Sequence, residues 1–141
     1  MQGQNLVRES SRPRIVIAAS EHARLTELAE KAMKGGSDVA EFLAEELSRA
    51  HIVPDDACSP HVVRMGSQVT YSDDVARRVH KITVVYPWDA DIDKNRVSVL
   101  SPVGAALIGL SPAQSIQWPN PDGRMGSLTV LDVKAGGESP G

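Results

Sequence analysis

"KAMKGGSDVAEFL", residues Lys31 to Leu43, joins two stretches of helical period at a Gly-Gly pair. Upstream, Leu25, Leu28, Ala29, Ala32 and Met33 recur at the spacing of one helix face. Ser20 stands where an N-cap is needed, and Glu21 suits the positive end of the helix dipole. Glu27 with Lys31 and Glu30 with Lys34 form favourable pairs one turn apart. Gly35-Gly36 stops the helix, because glycine enters the left-handed conformation at no steric cost. Downstream, Val39, Phe42, Leu43, Leu47 and Ala50 mark a second helix. Two short helices across a tight turn predict an antiparallel hairpin with facing apolar stripes. At about 13 residues per helix the arm is roughly 20 Å long, and it is expected to project from the rest of the chain.

Outward from the hairpin the pattern changes. Residues 1–12 are polar and predict a disordered tail. Arg14-Ile15-Val16-Ile17 reads as an isolated strand or a strut into the first helix. Pro54 to Pro60 reads as a linker, stiff or hinged. Beyond it the period becomes two: Val69 and Tyr71; Ile82, Val84 and Tyr86; Val97 and Val99; Ile116 and Trp118; Leu128 and Val130. Five short strands are expected. Between the third and fourth, Ser101 at N-cap, Pro102 at N1 and Gly109 past the end outline one short helix. Pro119 to Gly123 predicts a turn, and 135–141 a loose tail. The fold class is α+β: a short helical hairpin over 13–53, a linker over 54–60, and a compact, mostly antiparallel five-strand domain over 61–134.

Composition narrows the function. The chain has 141 residues and a net charge of −3, but Glu21 to Asp56 hold nine acids against four bases. A negative first half disfavours a grip on a phosphate backbone, which rests on Lys and Arg. Interleaved aromatics that would stack bases are missing, which disfavours single-stranded RNA binding, and no direct sequence-specific nucleic-acid binding is expected. No apolar run approaches the roughly 18 residues of a membrane span, and MQGQNLVRESSRPR lacks a signal-peptide core. The single cysteine, Cys58, forms no internal disulfide, which suits a reducing cytoplasm.

Motifs for metal or cofactor chemistry fail. Asp89-x-Asp91-x-Asp93 starts like a calcium loop, but Lys94 stands where glycine is needed and Leu100 where glutamate is. His51, Cys58 and His61 straddle a proline-rich stretch without a fourth zinc ligand. No phosphate-cradling glycine loop and no serine elbow occur, and no cofactor is expected. Arg77, Arg78, His80 and Lys81 form a basic cluster along a strand, read either as a solvated face or as a docking patch for an acidic surface.

Four stretches together resemble the bacterial Gre-type transcription factors: Ser11 to Ile17, Arg64 to Val69, Val85-Tyr86-Pro87, and above all Leu100-Ser101-Pro102-Val103-Gly104-Ala105-Ala106-Leu107-Ile108-Gly109-Leu110. The resemblance covers roughly residues 12–134. Within that family it is most similar to the short-armed branch named for regulation of nucleoside diphosphate kinase. The resemblance implies an FKBP-like C-terminal domain docking at the rim of the secondary channel of RNA polymerase, with the helical arm entering the channel. Carried over by position, Ser101-Pro102 forms the rim-contacting turn, preceded by Leu100 where the cleavage factors can hold an acidic residue; Arg78 and Lys81 of the basic cluster are further docking candidates. It implies a monomer that competes with cleavage factors and is not itself an enzyme. A prolyl-isomerase reading of the FKBP-like domain needs an aromatic-lined pocket, against which stand five aromatic residues in all: one Phe, two Trp and two Tyr.

The hairpin tip carries the sharpest alternative. In the cleavage factors a D-x-x-E pair at the arm tip helps hold a catalytic metal, and Asp38-Val39-Ala40-Glu41 has that spacing. It is also the spacing of a capping box, in which Asp38 caps the second helix and Glu41 reaches back. Ser37 is the alternative cap. The cap is the leading expectation, because a carboxylate must reach about 2.1 Å from a metal and a short arm stops well before it. A polymerase contact and support of RNA cleavage by the tip acids remain alternatives, as does direct protein contact with a nucleotide kinase.

Overall fold

In the computed structural model, residues 12–119 and 124–136 are described. Of the expected tail over 1–12, turn over 119–123 and tail over 135–141, residues 1–11, 120–123 and 137–141 lie outside the described residues.

Strand β1 (Val16–Ala18) runs straight into helix α1 (Ala19–Lys34), and α2 (Asp38–Arg49) runs back to β2 (His51–Val53). The turn between the helices is closed by glycine. Gly36 has φ +90°, its amide donates to the carbonyl of Met33 (2.9 Å), and the Ser37 amide donates to that of Ala32 (3.1 Å). These two bonds satisfy the last carbonyls of α1. The left-handed residue is Gly36, while Gly35 keeps φ −84°.

β1 and β2 pair in parallel, with Val16 opposite His51 and Ala18 opposite Val53. The run at Arg14–Ile17 is thus half of a two-stranded ribbon at the hairpin root, and its partner is too short to show a period of two. Ser20 is not the N-cap expected of it: α1 starts at Ala19, and Ala18 in the cap position makes no side-chain bond. The Ser20 amide instead donates to Oδ1 of Asp55 at 2.9 Å. The cap is supplied from 35 residues away, by the stretch read as a linker. That stretch holds a 3-10 turn, Asp55–Ala57, and Cys58 is buried against Ala18 and Val62.

The five expected strands form one mixed sheet: β3 (Gln68–Asp73), β4 (Arg78–Val85), β5 (Arg96–Ser98), β6 (Ser115–Pro119) and β7 (Met125–Lys134), in the order β5-β4-β3-β7-β6. All neighbours are antiparallel except β4 and β5. Val69, Tyr71, Ile82, Val84, Ile116, Trp118, Leu128 and Val130 point inward as their alternation requires. Helix α3 (Pro102–Leu107) packs against β5, β6 and α2. Its close seat depends on Gly104, where a Cβ would lie 2.2 Å from the carbonyl oxygen of Ser98.

The expectation of a freely projecting arm is corrected. Ile15, Ile17, Leu25, Ala29, Leu43 and Leu47 belong to the same buried cluster as Val63, Val84, Leu107, Leu110 and Leu128. The lower part of the hairpin is therefore built into the body. Full burial of a Leu or Ile side chain stabilises by about 1.5–3 kcal/mol, so these residues hold the hairpin down firmly. Between Ala29 and Ala40 most side chains are exposed, over about 8 Å of helix beyond Ala29, although Val39 still packs against the core. Main-chain bonds reinforce the seat: the Val16 amide donates to Gly109 (3.1 Å), the Gly109 amide to Val63 (2.9 Å), and the Val63 amide to Leu110 (2.8 Å). Gly109 has φ +84°, and a Cβ there would meet the Ile15 Cβ at 2.9 Å.

Gly109→Ala adds left-handed strain and a clash at this seat, so it is expected to cost about 2 kcal/mol or more in urea unfolding at neutral pH. A loss below about 0.5 kcal/mol would contradict a close seat of Ile15 on Gly109.

Candidate functional site

The hairpin tip settles which residue caps α2. Ser37 is the N-cap, and its Oγ accepts the amide of Ala40 at 3.0 Å. Asp38 becomes the first helical residue and Glu41 falls one position past the reach of a capping box. The leading expectation, Asp38 as cap with Glu41 reaching back, is therefore corrected in favour of Ser37. Both carboxylates are exposed, and neither has a hydrogen-bond or ion-pair partner among the described residues. They lie on the first turn of α2, where they suit the helix dipole.

A second region lies where β4 and β5 end together. The parallel ladder runs to Val85 opposite Ser98 and continues with the Val99 amide donating to Val85 (2.8 Å). Leu100, Ser101 and Pro102 then turn the chain into α3. The Leu100 amide donates to Ser98 Oγ (2.9 Å), and the Ser101 hydroxyl donates to the Ser98 carbonyl (2.7 Å). Ser101 Oγ also accepts the Gly104 amide (3.1 Å), and Pro102 holds the first helical position. Each of the three side chains is half-exposed. The turn is rigid and its outer surface is open.

Arg78 and Lys81 do not join it as one patch. Both are exposed on β4, but alternation puts Arg78 on the side of Ile82 and Lys81 on the opposite side. Arg78 begins the strand, about 23 Å from its Val85 end at the strand rise, while Lys81 is about 13 Å away. His80, between them, stacks on Tyr71 with ring centroids 5.2 Å apart.

Several contacts that fix the hairpin were not expected from the sequence. The Glu21 carboxylate takes Nη2 and Nε of Arg64, both at 3.1 Å, and the Met65 amide at 3.3 Å. His22 Nε2 lies 2.9 Å from the Leu47 carbonyl, near the end of α2. Arg49 pairs with the buried Glu46 and donates to the Pro13 carbonyl. Asp55 at the root of α1 has its carboxyl held below the ordinary value of 3.8, chiefly by hydrogen bonds from Ser20. Burial pushes the Cys58 thiol upward. Among the described residues no group of three or more His, Cys, Asp or Glu is placed to hold a metal ion, and no helix is long and apolar enough to cross a membrane.

Residues 58–135 match the family model described as transcription elongation factor, GreA/GreB, C-term, and residues 13–53 match the one described as Rnk N-terminus. The chain belongs to the GreA/GreB family. This GreA/GreB-family chain is 34% identical over 131 residues to the regulator of nucleoside diphosphate kinase of Escherichia coli K12, covering 93% of this chain and 96% of that one. It is 33% identical to transcription elongation factor GreA of Beijerinckia indica, covering 89% and 84%. Among solved structures it is similar to a GreA/GreB elongation factor from Nitrosomonas europaea, with TM-score 0.67 and 32% identity over 87% of this chain and 99% of that one. An N-terminal helical hairpin and a five-strand mixed sheet are what the two share in outline.

Two measurements separate the roles of these residues. Ser37→Ala is expected to lower stability by about 1 kcal/mol in urea unfolding, and Glu41→Ala by under about 0.5 kcal/mol; the reverse order would restore the capping box. Because the Asp55 carboxyl is lowered, its contribution is present above the ordinary carboxylate pKa and is lost as pH falls through the folded value. Asp55→Asn is expected to lower Tm at pH 7, with the gap to wild type closing as pH falls below the ordinary carboxylate range; a gap independent of pH would contradict the charged cap.

Proposed function

We propose that this chain is a non-enzymatic regulator of transcription that docks on RNA polymerase at the rim of the secondary channel and competes there with Gre cleavage factors. In this reading the sheet domain, with an FKBP-like arrangement, is the anchor. The Leu100-Ser101-Pro102 turn meets the rim, with Lys81 as an outlying contact and Arg78 remote from it. The hairpin tip, with Ser37, Asp38 and Glu41, stands at the channel entrance. The protein acts as a monomer in the bacterial cytoplasm and needs no cofactor.

One observation carries the proposal: a Rnk-type N-terminus and a GreA/GreB C-terminal domain occur in one chain, and the hairpin shares its core with the sheet. Docking of the sheet domain then fixes the position of the tip, because no loose joint lies between them. A stub with about 8 Å of mostly exposed helix obstructs an entrance without reaching far beyond it.

One observation favours a second reading. Ser37 takes the cap, which leaves the Asp38 and Glu41 carboxylates unengaged. Free tip acids are available for a contact with polymerase, or for support of RNA cleavage. A metal contact at about 2.1 Å demands reach that the seated hairpin lacks, so the contact is the stronger of the two.

Purified core polymerase should retain the chain at micromolar concentration, and a Gre cleavage factor should displace it. No retention would contradict the proposal. On backtracked complexes the chain should not accelerate RNA cleavage; acceleration that disappears in Asp38→Ala and Glu41→Ala would establish the cleavage reading instead. Co-purification with a nucleotide kinase in the absence of polymerase would point to direct regulation of that enzyme, the activity named for the Escherichia coli relative.

A further inference from the structure

On the face of the sheet turned away from the core, four polar side chains stand in one line. The register places Thr83 opposite Arg96, and Gln68 opposite both Thr83 and Lys134. Arg96, Thr83, Gln68 and Lys134 therefore cross β5, β4, β3 and β7 in a single row. Their strand neighbours Val69, Ile82, Val84 and Val133 are buried, so alternation turns the row outward. The row lines a hollow of about 430 Å³, together with Asp89 and the bare backbone of Gly66 and Gly136. Gly136 lies directly on Gly66: a Cβ on Gly136 would come 1.6 Å from the Gly66 carbonyl oxygen. That wall is main chain pressed on main chain, and no side chain fits there. The volume is in the range of small-ligand clefts, roughly 300–1,000 Å³.

None of the five polar side chains in this lining has a hydrogen-bond or ion-pair partner among the described residues. Two are cations and one is an anion, so the positive sign prevails inside the hollow. Just outside it, Lys81 and Asp132 face each other across Thr70 and offset one another. Asp93 and Lys94 do the same in the loop before β5, where the Asp91 carboxylate accepts the Asp93 amide at 3.1 Å. Arg96 and Lys134 are about 14 Å apart at Cα by strand spacing, with the Gln68 amide and the Thr83 hydroxyl between them. A carboxylate has two oxygens, which one guanidinium fork already fills. A phosphate monoester has three terminal oxygens and nearly two negative charges, and it uses the whole donor row. The hollow exceeds a phosphate group, so the ligand carries a body, and Asp89 accepts hydrogen bonds from hydroxyls on it. Val85 and Ala135 are the apolar lining, and no aromatic ring is present to stack a nucleobase.

We infer that the outer face of the sheet holds a binding site for a sugar phosphate, with Arg96, Lys134, Gln68 and Thr83 on the phosphate and Asp89 on the sugar hydroxyls. Neither the Leu100–Pro102 turn nor the hairpin tip lines this hollow. The site therefore stands whether or not the chain docks on polymerase.

The test titrates the full-length chain with ribose 5-phosphate, inorganic phosphate and AMP, following backbone amide resonances at physiological salt. Ribose 5-phosphate is expected to give saturable shifts centred on Gln68, Thr83, Arg96 and Lys134, with Kd about 1 mM or below. Inorganic phosphate should bind the same residues more weakly, and AMP no more tightly than ribose 5-phosphate. Arg96→Ala and Lys134→Ala should each weaken binding about tenfold with Tm unchanged, because both side chains are exposed. Asp89→Asn should weaken ribose 5-phosphate but not inorganic phosphate. Lys31→Ala, which removes an exposed cation of α1, should change nothing. No saturable shift up to about 10 mM, or a loss in Lys31→Ala equal to that in Arg96→Ala, overturns the site. AMP binding about tenfold tighter than ribose 5-phosphate overturns the sugar-phosphate assignment.

Discussion

Ile15 lies against the bare Cα of Gly109, and the rest of the molecule is arranged around that contact. The chain reverses after α3 through a left-handed residue, and only a residue without Cβ leaves room for Ile15. The approach lets β1 bond to the turn after α3, and that turn in turn bonds to Val63. Three segments far apart in sequence thus share one backbone junction. The hairpin helices leave from β1 and return to β2, so their direction is set there. Glu21 with Arg64, and Asp55 on the Ser20 amide, clamp the same end of α1 from the other side.

This junction changes what the hairpin can be. Two helices on a flexible linker would search many angles, and ordering them on a partner would cost conformational entropy. Two helices with Leu25, Leu43 and Leu47 inside the common core have one angle. The rigid root shortens the exposed part but aims it. That suits obstruction of an entrance better than delivery of carboxylates to a distant reaction centre.

Much of the fold was legible because it is periodic. The hairpin showed as two apolar stripes broken by Gly35-Gly36, and the five strands showed as alternation around Val69, Ile82, Val97, Ile116 and Leu128. Ser101-Pro102 announced α3 because capping chemistry is local. What sequence reading missed is non-local or too short for a period. β1 and β2 have three residues each. The cap on α1 comes from Asp55, and Glu21 meets Arg64 across 43 residues. The choice between Ser37 and Asp38 as cap was open because the two are adjacent and both suitable. At the candidate site the turn Leu100–Pro102 and the tip residues were readable by position.

The central claim is that hairpin and sheet domain form one cooperative unit, and native-state hydrogen exchange tests it most directly. The Val16 amide joins the hairpin root to the body at Gly109, the His51 amide closes the root on Ile15, and the Val63 and Gly109 amides hold that junction within the body. These amides should exchange with the same free energy as the slowest amides of β3, β4 and β7, and respond to denaturant with the same slope. Should the root amides and those of α1 and α2 open together at markedly lower free energy while the sheet stays closed, the hairpin would be a separately folding appendage and the account would be wrong.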